Sequence, residues 1–137
     1  MKIIIDAREA GNFSSGKGQY IGWLLKEFKR RKDLEIFCLT RGNLPGLIWY
    51  FKVWFWLKFI KKYDLFFSPT SFILPALGIK NTVMTVHDLA CLKNAKTLHF
   101  KTWLLERLFL KRAIKKTKAV IAPSCSVKQD LLGNNFF

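Results

Sequence analysis

Short apolar runs alternate along this chain with longer segments in which apolar positions recur at helical spacing. The short runs are rich in branched and aromatic residues and predict strands buried on both faces, at Lys2–Asp6, Leu34–Leu39, Asp64–Ser68, Thr82–His87 and Ala119–Ala122. The longer segments predict helices over Gln19–Arg31, Leu47–Tyr63, His99–Lys116 and Ser126–Leu132. Because strands and helices alternate, we expect one α/β domain over residues 1–137, built on a parallel, doubly wound sheet.

The run Thr82–Val86 stops abruptly at two titratable residues, His87 and Asp88. In an open parallel sheet the carboxyl ends of the strands form the ligand crevice, which makes this pair a candidate site. In the alternative interpretation His87 only bonds a neighbouring loop, and Asp88 begins a turn or caps a helix. The residues alone favour this second interpretation, because polar strand ends are common.

A glycine-bearing loop, residues 11–18, connects the first predicted strand to the first predicted helix. Glycines let backbone N–H groups approach an anion, so Gly16, Lys17 and Gly18 are candidates for phosphate or sugar contact; a plain flexible loop is the alternative. The sequence disfavours a magnesium-nucleotide P-loop, because Gly18 stands where its Ser or Thr is required. Arg8, just past the first strand, could meet a phosphate or pair with Asp6 or Asp88.

The chain is strongly basic, with a formal net charge of +15, and 15% of its residues are aromatic. This balance indicates an anionic partner, whether nucleic acid, an acidic membrane face or a phosphorylated ligand. Leu47–Tyr63 concentrates both properties but is too short and too interrupted for a transmembrane span. We expect one face of this helix to join the core and the other to contact a membrane or acceptor lipid. The candidate membrane-contact residues are Trp49, Lys52, Trp54, Trp56, Lys58, Lys61 and Lys62.

The cysteines and the N-terminus indicate a reducing compartment. Cys38, Cys91 and Cys125 form no CxxC pair, so neither a zinc site nor a disulfide framework is suggested. The first six residues do not have the pattern of a signal peptide, since their apolar run is short and ends in Asp6. We therefore expect a cytoplasmic protein with no metal.

Several short motifs occur here in the order and at the distances found in one enzyme family. They are residues 4–8 (Ile-Ile-Asp-Ala-Arg), 16–21 (Gly-Lys-Gly-Gln-Tyr-Ile), 64–69 (Asp-Leu-Phe-Phe-Ser-Pro), 85–89 (Thr-Val-His-Asp-Leu), and 118–124 with 126–131. Together they make the chain resemble the N-terminal domain of glycosyltransferase family 4 over essentially its whole length.

The resemblance implies a GT-B architecture, in which two Rossmann-like domains face each other across a cleft. The N-terminal domain binds the acceptor and the C-terminal domain binds a nucleotide-sugar donor; such enzymes are typically retaining and need no metal. By the same resemblance, Gly16 and Gly18 lie beside the donor phosphates and the acceptor, and His87 lines the cleft near the reacting sugar. Asp88 is its neighbour in the motif.

Two departures from the family pattern limit what the resemblance implies. Lys17 and Gln19 stand where the family more often has a small residue and an arginine, which leaves sub-family and substrate open. The donor-binding domain with its paired-glutamate motif does not occur in these 137 residues, so we expect no sugar transfer by this chain alone.

The expected function is therefore that of the N-terminal part of a retaining glycosyltransferase acting on a lipid-linked or cell-envelope saccharide. Its expected partners are a C-terminal donor-binding domain or partner chain, the saccharide acceptor and the anionic inner face of the membrane, where the protein is peripheral. The alternative is a non-catalytic Rossmann-like module that binds an anionic membrane or nucleic acid. Nucleic acid is the weaker of these partners, because no RRM or KH motif is present.

Overall fold

A parallel β-sheet with helices on both faces forms this protein. The computed structural model describes residues 1–89 and 100–134; for residues 100–103 and 105–107 it describes the backbone only. The sheet has five strands in the order β2-β1-β3-β4-β5, and every pair is parallel. The elements are β1 (Lys2–Asp6), α1 (Gly16–Lys29), β2 (Glu35–Leu39), α2 (Gly46–Phe55), β3 (Leu65–Ser68), α3 (Ile73–Ala76), β4 (Thr82–Thr85), α4 (Phe100–Lys116), β5 (Ala119–Ile121) and α5 (Cys125–Gly133).

The predicted fold class, an α/β domain with a doubly wound parallel sheet, is confirmed. Because the central strands β1 and β3 are covered on both sides, their residues are apolar without alternation. On one face Ile3, Ile5 and Phe67 pack against α1. On the other face Ile4 and Phe66 pack against α2 and α3. Further along the second face, Met84 of β4 packs against α4 and α5.

Helix α1 begins at Gly16 rather than at the predicted Gln19. The reason is a side-chain cap: Ser15 has extended backbone angles, and its hydroxyl accepts a hydrogen bond from the N–H of Gly18 at 3.0 Å. The predicted glycine loop therefore ends as the first turn of a helix, which directs that helix N-terminus toward the carboxyl edge of the sheet.

The predicted helix Leu47–Tyr63 consists of two parts. α2 runs from Gly46 to Phe55, and a π-helical turn continues it over Trp56–Ile60, closed by a 2.9 Å hydrogen bond from the N–H of Lys61 to the carbonyl of Trp56. The core side of both parts carries Trp49, Val53 and Leu57, which are all buried.

The region between β3 and β4 differs from its prediction as a loop, because it contains the short helix α3. Pro75 lies in that helix, where the short length leaves few internal hydrogen bonds for proline to remove. Strand β4 ends at Thr85, two residues before the predicted end at His87. α5 begins with Ser124 as its cap, earlier than the predicted Ser126. The predicted loop Asp88–Leu98 lies outside the described residues from position 90 onward.

Candidate functional site

The carboxyl ends of β1, β3 and β4 lie side by side, and chain segments from three parts of the sequence meet there. In the strand order 2-1-3-4-5 the connections leave in opposite directions at β1 and β3. Ligands of doubly wound sheets bind in the crevice outside the strands at such a point. Ala7 directly follows β1, Pro69 directly follows β3, and His87 is the second residue past β4.

His87 is held in this crevice by contacts from two other segments. Its Nε2 lies 2.8 Å from the carbonyl oxygen of Pro69. The ring of Tyr20, from the first turns of α1, meets the imidazole edge-to-face with 4.9 Å between centroids. The Tyr20 hydroxyl lies 3.2 Å from Oγ1 of Thr85, which is buried. The first two contacts orient the imidazole, and the third holds the Tyr20 ring in place. The side chain of His87 is left only partly exposed.

The environment of His87 favours the neutral imidazole. Burial lowers the pKa of His87 below its usual 6.5, and the nearby charge of Lys17 lowers it further. The hydrogen bond to Pro69 and the charge of Asp88 act in the opposite direction and are outweighed. A carbonyl oxygen can only accept, so Nε2 carries the proton and Nδ1 keeps its lone pair.

The two glycines of the predicted binding loop have different surroundings. Gly18 is buried, and a Cβ added to it would lie 1.9 Å from the carbonyl oxygen of Asn12, because residues 9–12 fold over the start of α1. Gly16 is exposed, with nothing within 4 Å of an added Cβ. Lys17, between them, lies close enough to His87 for its charge to lower the pKa of that residue. The structure thus brings Lys17, Tyr20 and His87 together at the N-terminus of α1.

Arg8 is engaged by Asp6, one of the partners expected for it. Its Nε and Nη2 donate to the two carboxylate oxygens of Asp6 at 2.8 and 2.7 Å, and the Asp6 side chain is fully buried. The guanidinium lies 4.2 Å from the ring centroid of Trp49 and 4.5 Å from that of Tyr50. Burial alone would lower the pKa of Arg8, but the hydrogen bonds and charge of Asp6 raise it overall.

A polar pocket of about 500 Å³ lies beside Arg8, at the carboxyl ends of β1 and β2. Its lining consists of Arg8, Glu9, Thr40, Arg41, Gly42, Asn43 and Leu44. The pocket is separate from the cluster around His87, so the structure does not bring Arg8 into the same group of contacts as Lys17.

The aromatic-basic segment is divided between core and surface, and the prediction is wrong for Trp49. Trp49 is only 2% exposed, because its ring packs against β1 and β3 and its indole N–H donates to the carbonyl of Thr40 at 2.9 Å. Trp54 and Trp56 are half-buried, and their rings lie under the ammonium groups of Lys58 and Lys61. The exposed candidates are Lys52, Lys58 and Lys62.

Sequence reasoning missed the exposed apolar stripe on this segment. Leu47, Phe51, Phe55 and Phe59 are between 45% and 86% exposed and follow one another at four-residue intervals. The signal was present, since residues four apart lie on one helix face. Tyr20, Thr85 and Pro69 were also missed as supports of His87, because only the tertiary fold brings them together.

Within residues 1–89 and 100–134, no three His, Cys, Asp or Glu side chains group closely enough to hold a metal ion. No helix in those same ranges has the length and apolar character needed to cross a membrane.

Comparison with known proteins gives the family. The family model described as Glycosyltransferase Family 4 matches residues 18–136, which run from the third residue of α1 through β2, β3, β4, the His87 region and β5. Strand β1 and the first two residues of α1 precede the match. The searches of curated proteins and of solved structures gave no match to this chain. The family match spans well over half of the sequence, and the resemblance found in the motifs is confirmed. This protein belongs to glycosyltransferase family 4.

Proposed function

We propose that this chain is the acceptor-binding part of a retaining glycosyltransferase. It would receive a sugar from a nucleotide-sugar held by a second, donor-binding domain, in the same chain or in a partner, and direct it to a lipid-linked or cell-envelope saccharide. The observation that carries this proposal is the position of His87, oriented at the carboxyl edge of the sheet beside the N-terminus of α1 in a family 4 domain.

The role proposed for His87 follows from its tautomer. With Nε2–H bonded to Pro69, the lone pair of Nδ1 can accept a hydrogen bond from the acceptor hydroxyl. The oxygen of that hydroxyl bonds to the anomeric carbon as the bond from this carbon to the nucleoside diphosphate breaks on the same face, so the configuration is retained. The hydroxyl proton passes to Nδ1 of His87, and the bonding electrons leave with the diphosphate. His87 acts here by positioning the hydroxyl and increasing the electron density on its oxygen.

The N-terminus of α1 and Lys17 are proposed to face the negative charge that develops on the departing diphosphate. A helix N-terminus carries a partial positive charge, and exposed Gly16 presents no side chain against an approaching anion. Lys17 is half-buried and already acts electrostatically on His87. Asp88, next to His87, would share this site through its charge.

We further propose that the enzyme works as a peripheral protein on the inner face of the cytoplasmic membrane. Support comes from the stripe of exposed Leu47, Phe51, Phe55 and Phe59 with exposed lysines on the same segment. Aromatic and aliphatic side chains enter the interface, while lysines meet anionic headgroups at about 1 kcal/mol each.

The test of the catalytic proposal is substitution of His87 in the chain co-expressed with a donor-binding domain of the family. Transfer of radiolabelled sugar from nucleotide-sugars to lipid and saccharide acceptors is measured. We expect His87→Ala to lower turnover by roughly a hundredfold or more. The circular dichroism spectrum should be unchanged, because His87 is only partly buried. An unchanged rate would refute the role of His87.

A second readout uses the chain by itself. Nitrogen-15 chemical shifts of the His87 ring should show a protonated Nε2 and an unprotonated Nδ1. The Nδ1 shift should change when a saccharide acceptor is added. Acceptors that shift other residues but leave Nδ1 unchanged would contradict the proposed hydrogen bond.

The non-catalytic alternative is favoured by one observation, the net charge of +15. A module that only binds an anionic surface would associate with vesicles or nucleic acid, but would transfer no sugar with any donor domain. His87→Ala would then leave binding to vesicles and to nucleic acid unchanged, which distinguishes this module from the enzyme.

A further inference from the structure

An apolar groove lies between the edge strand β2 and the outer side of α2 with its π-turn. Its volume is about 460 Å³ and it opens to solvent. Strand β2 pairs only with β1, so no further strand of the described sheet stands beside the groove. The lining residues are Phe37, Leu39, Phe51, Lys52, Val53, Phe55, Trp56 and Ile60.

The lining of this groove is apolar, but its rim is cationic. Phe37, Phe55 and Ile60 are 46%, 45% and 62% exposed, which leaves a large apolar area in contact with water. Lys52 is the polar member of the lining. The ammonium of Lys61 lies 5.1 Å from the ring centroid of Phe37 and 5.6 Å from that of Trp56. An occupant should therefore be apolar along its length and carry a negative charge that can lie at the rim.

We propose that this groove binds one acyl chain of an anionic membrane phospholipid, with Lys52 and Lys61 beside its phosphate. The inference rests on the peripheral membrane location proposed above and deepens it, because it replaces a general surface contact by a site for a single lipid. Residues 43–63 include no Asp or Glu, so nothing in this segment opposes the negative headgroup.

A peptide segment fits the groove less well than a hydrocarbon chain. Every residue of a bound peptide brings a backbone N–H and C=O that must find partners when water is excluded. The open edge of β2 could pair with one side of such a backbone, but for the other side the side chains of the lining supply one polar group, that of Lys52. A hydrocarbon chain makes no such demand, and burying it gains about 0.8 kcal/mol for each methylene.

The π-turn contributes directly to the groove, because it carries two lining residues, Trp56 and Ile60. Single π-turns in helices occur frequently at functional sites. The ring of Trp56 also packs on Phe37 with 5.5 Å between centroids, which connects the two walls.

The test uses calorimetry with lysophosphatidylglycerol below its micelle concentration, added to the 137-residue chain without donor or acceptor. The groove variant is Phe55→Ser with Ile60→Ser. The matched control is Leu47→Ser with Phe59→Ser, two residues of the same segment that lie outside the groove and are 86% and 62% exposed. Both variants remove exposed apolar side chains, so both should keep the fold, as checked by circular dichroism.

We expect binding of one lipid, weakened roughly tenfold or more in the groove variant and within about twofold of the original in the control. Lysophosphatidylcholine of equal chain length should bind more weakly, and Lys52→Gln with Lys61→Gln should abolish this preference. Equal losses in the groove variant and the control would overturn the inference, as would equal affinity for the two lipids.

The outcome is independent of sugar transfer, because no donor or acceptor is present. If vesicle binding persists while monomeric lipid does not bind, the groove proposal fails and the peripheral location stands. If neither occurs, both fail, whereas the proposed role of His87 is judged by turnover alone.

Discussion

Gly18 lies where the loop before α1 folds back against the first turn of the helix. An added Cβ would lie 1.9 Å from the carbonyl oxygen of Asn12 and 2.8 Å from that of Glu9. We predict that Gly18→Ala lowers the free energy of unfolding by about 1–3 kcal/mol or more, since backbone must move to admit the methyl group. Urea denaturation measures this change.

Gly16 provides the control for that prediction. It is exposed and an added Cβ meets nothing within 4 Å, so Gly16→Ala should alter the free energy of unfolding by no more than about 0.5–1 kcal/mol, in the stabilising direction. Equal destabilisation by the two substitutions would show that the loop does not fold over α1 in this way.

The stability of the protein should depend on pH through His87. Its pKa is lowered in the folded state, so the unfolded chain binds a proton at higher pH than the native one. Native stability contributed by the neutral ring is therefore complete above the usual value of 6.5 and is lost as pH falls below it. Gln in place of His87 keeps a donor for Pro69 and does not titrate. We predict that His87→Gln flattens the fall in melting temperature between pH 7 and pH 5, and parallel curves would contradict this.

At the scale of residues, the sequence indicated the position of His87 but not its support. A polar pair at the end of a buried strand can be recognised from the order of residues alone. The 4.9 Å contact with Tyr20 and the bond to Pro69 join residues that are far apart in the chain, and no local pattern encodes them. The sequence also left Arg8 with three candidate partners, and in the fold it pairs with buried Asp6, only two residues away.

At the scale of elements, α2 and its π-turn carry two apolar stripes, of which one is buried and the other is exposed. Trp49, Val53 and Leu57 are buried against the sheet, whereas Phe51 and Phe55 remain exposed. Both stripes repeat every four residues, so composition could not show which one faces the core. The sequence also did not predict that a π-turn follows α2, because no particular residue type is required where a helix changes from α to π geometry.

This division predicts that two substitutions only two positions apart lower the free energy of unfolding by very different amounts. Trp49→Ala should cost about 3–5 kcal/mol of unfolding free energy, since it empties a core site and removes the bond to Thr40 and the surface under Arg8. Phe51→Ala should change it by about 0.5 kcal/mol or less, because Phe51 is 65% exposed. Chemical denaturation of the two variants checks which stripe faces the core, and similar losses of unfolding free energy would refute this division.

At the scale of the whole molecule, the order of apolar runs was enough to predict a parallel α/β sheet. Strands buried on both faces read as continuous apolar runs, and helical segments between them require parallel connections. The distribution of charge over the two faces was not predictable in this way, because it depends on where the connections cross the sheet. α1 packs on one face and α2 on the other, which sets their lysines on opposite sides of the molecule.

That arrangement leads to a prediction about membrane binding. If the face of α2 meets an anionic bilayer, Lys58→Gln with Lys62→Gln should weaken co-sedimentation with phosphatidylglycerol vesicles roughly tenfold or more at low salt, at about 1 kcal/mol for each lysine. Lys26→Gln with Lys29→Gln, on the exposed side of α1, removes the same charge from the opposite face and should have much less effect. Raising the salt to 0.5 M should reduce the difference between the two variants.

The two pairs separate a directed contact from simple attraction by a net charge of +15. Overall attraction acts through the total charge, so it would weaken equally in both variants. A directed contact weakens only when the lysines beside the exposed aromatic stripe are removed, because those charges lie within a Debye length of the headgroups. Failure of the intact chain to sediment with anionic vesicles at low salt would exclude both mechanisms and, with them, the peripheral location.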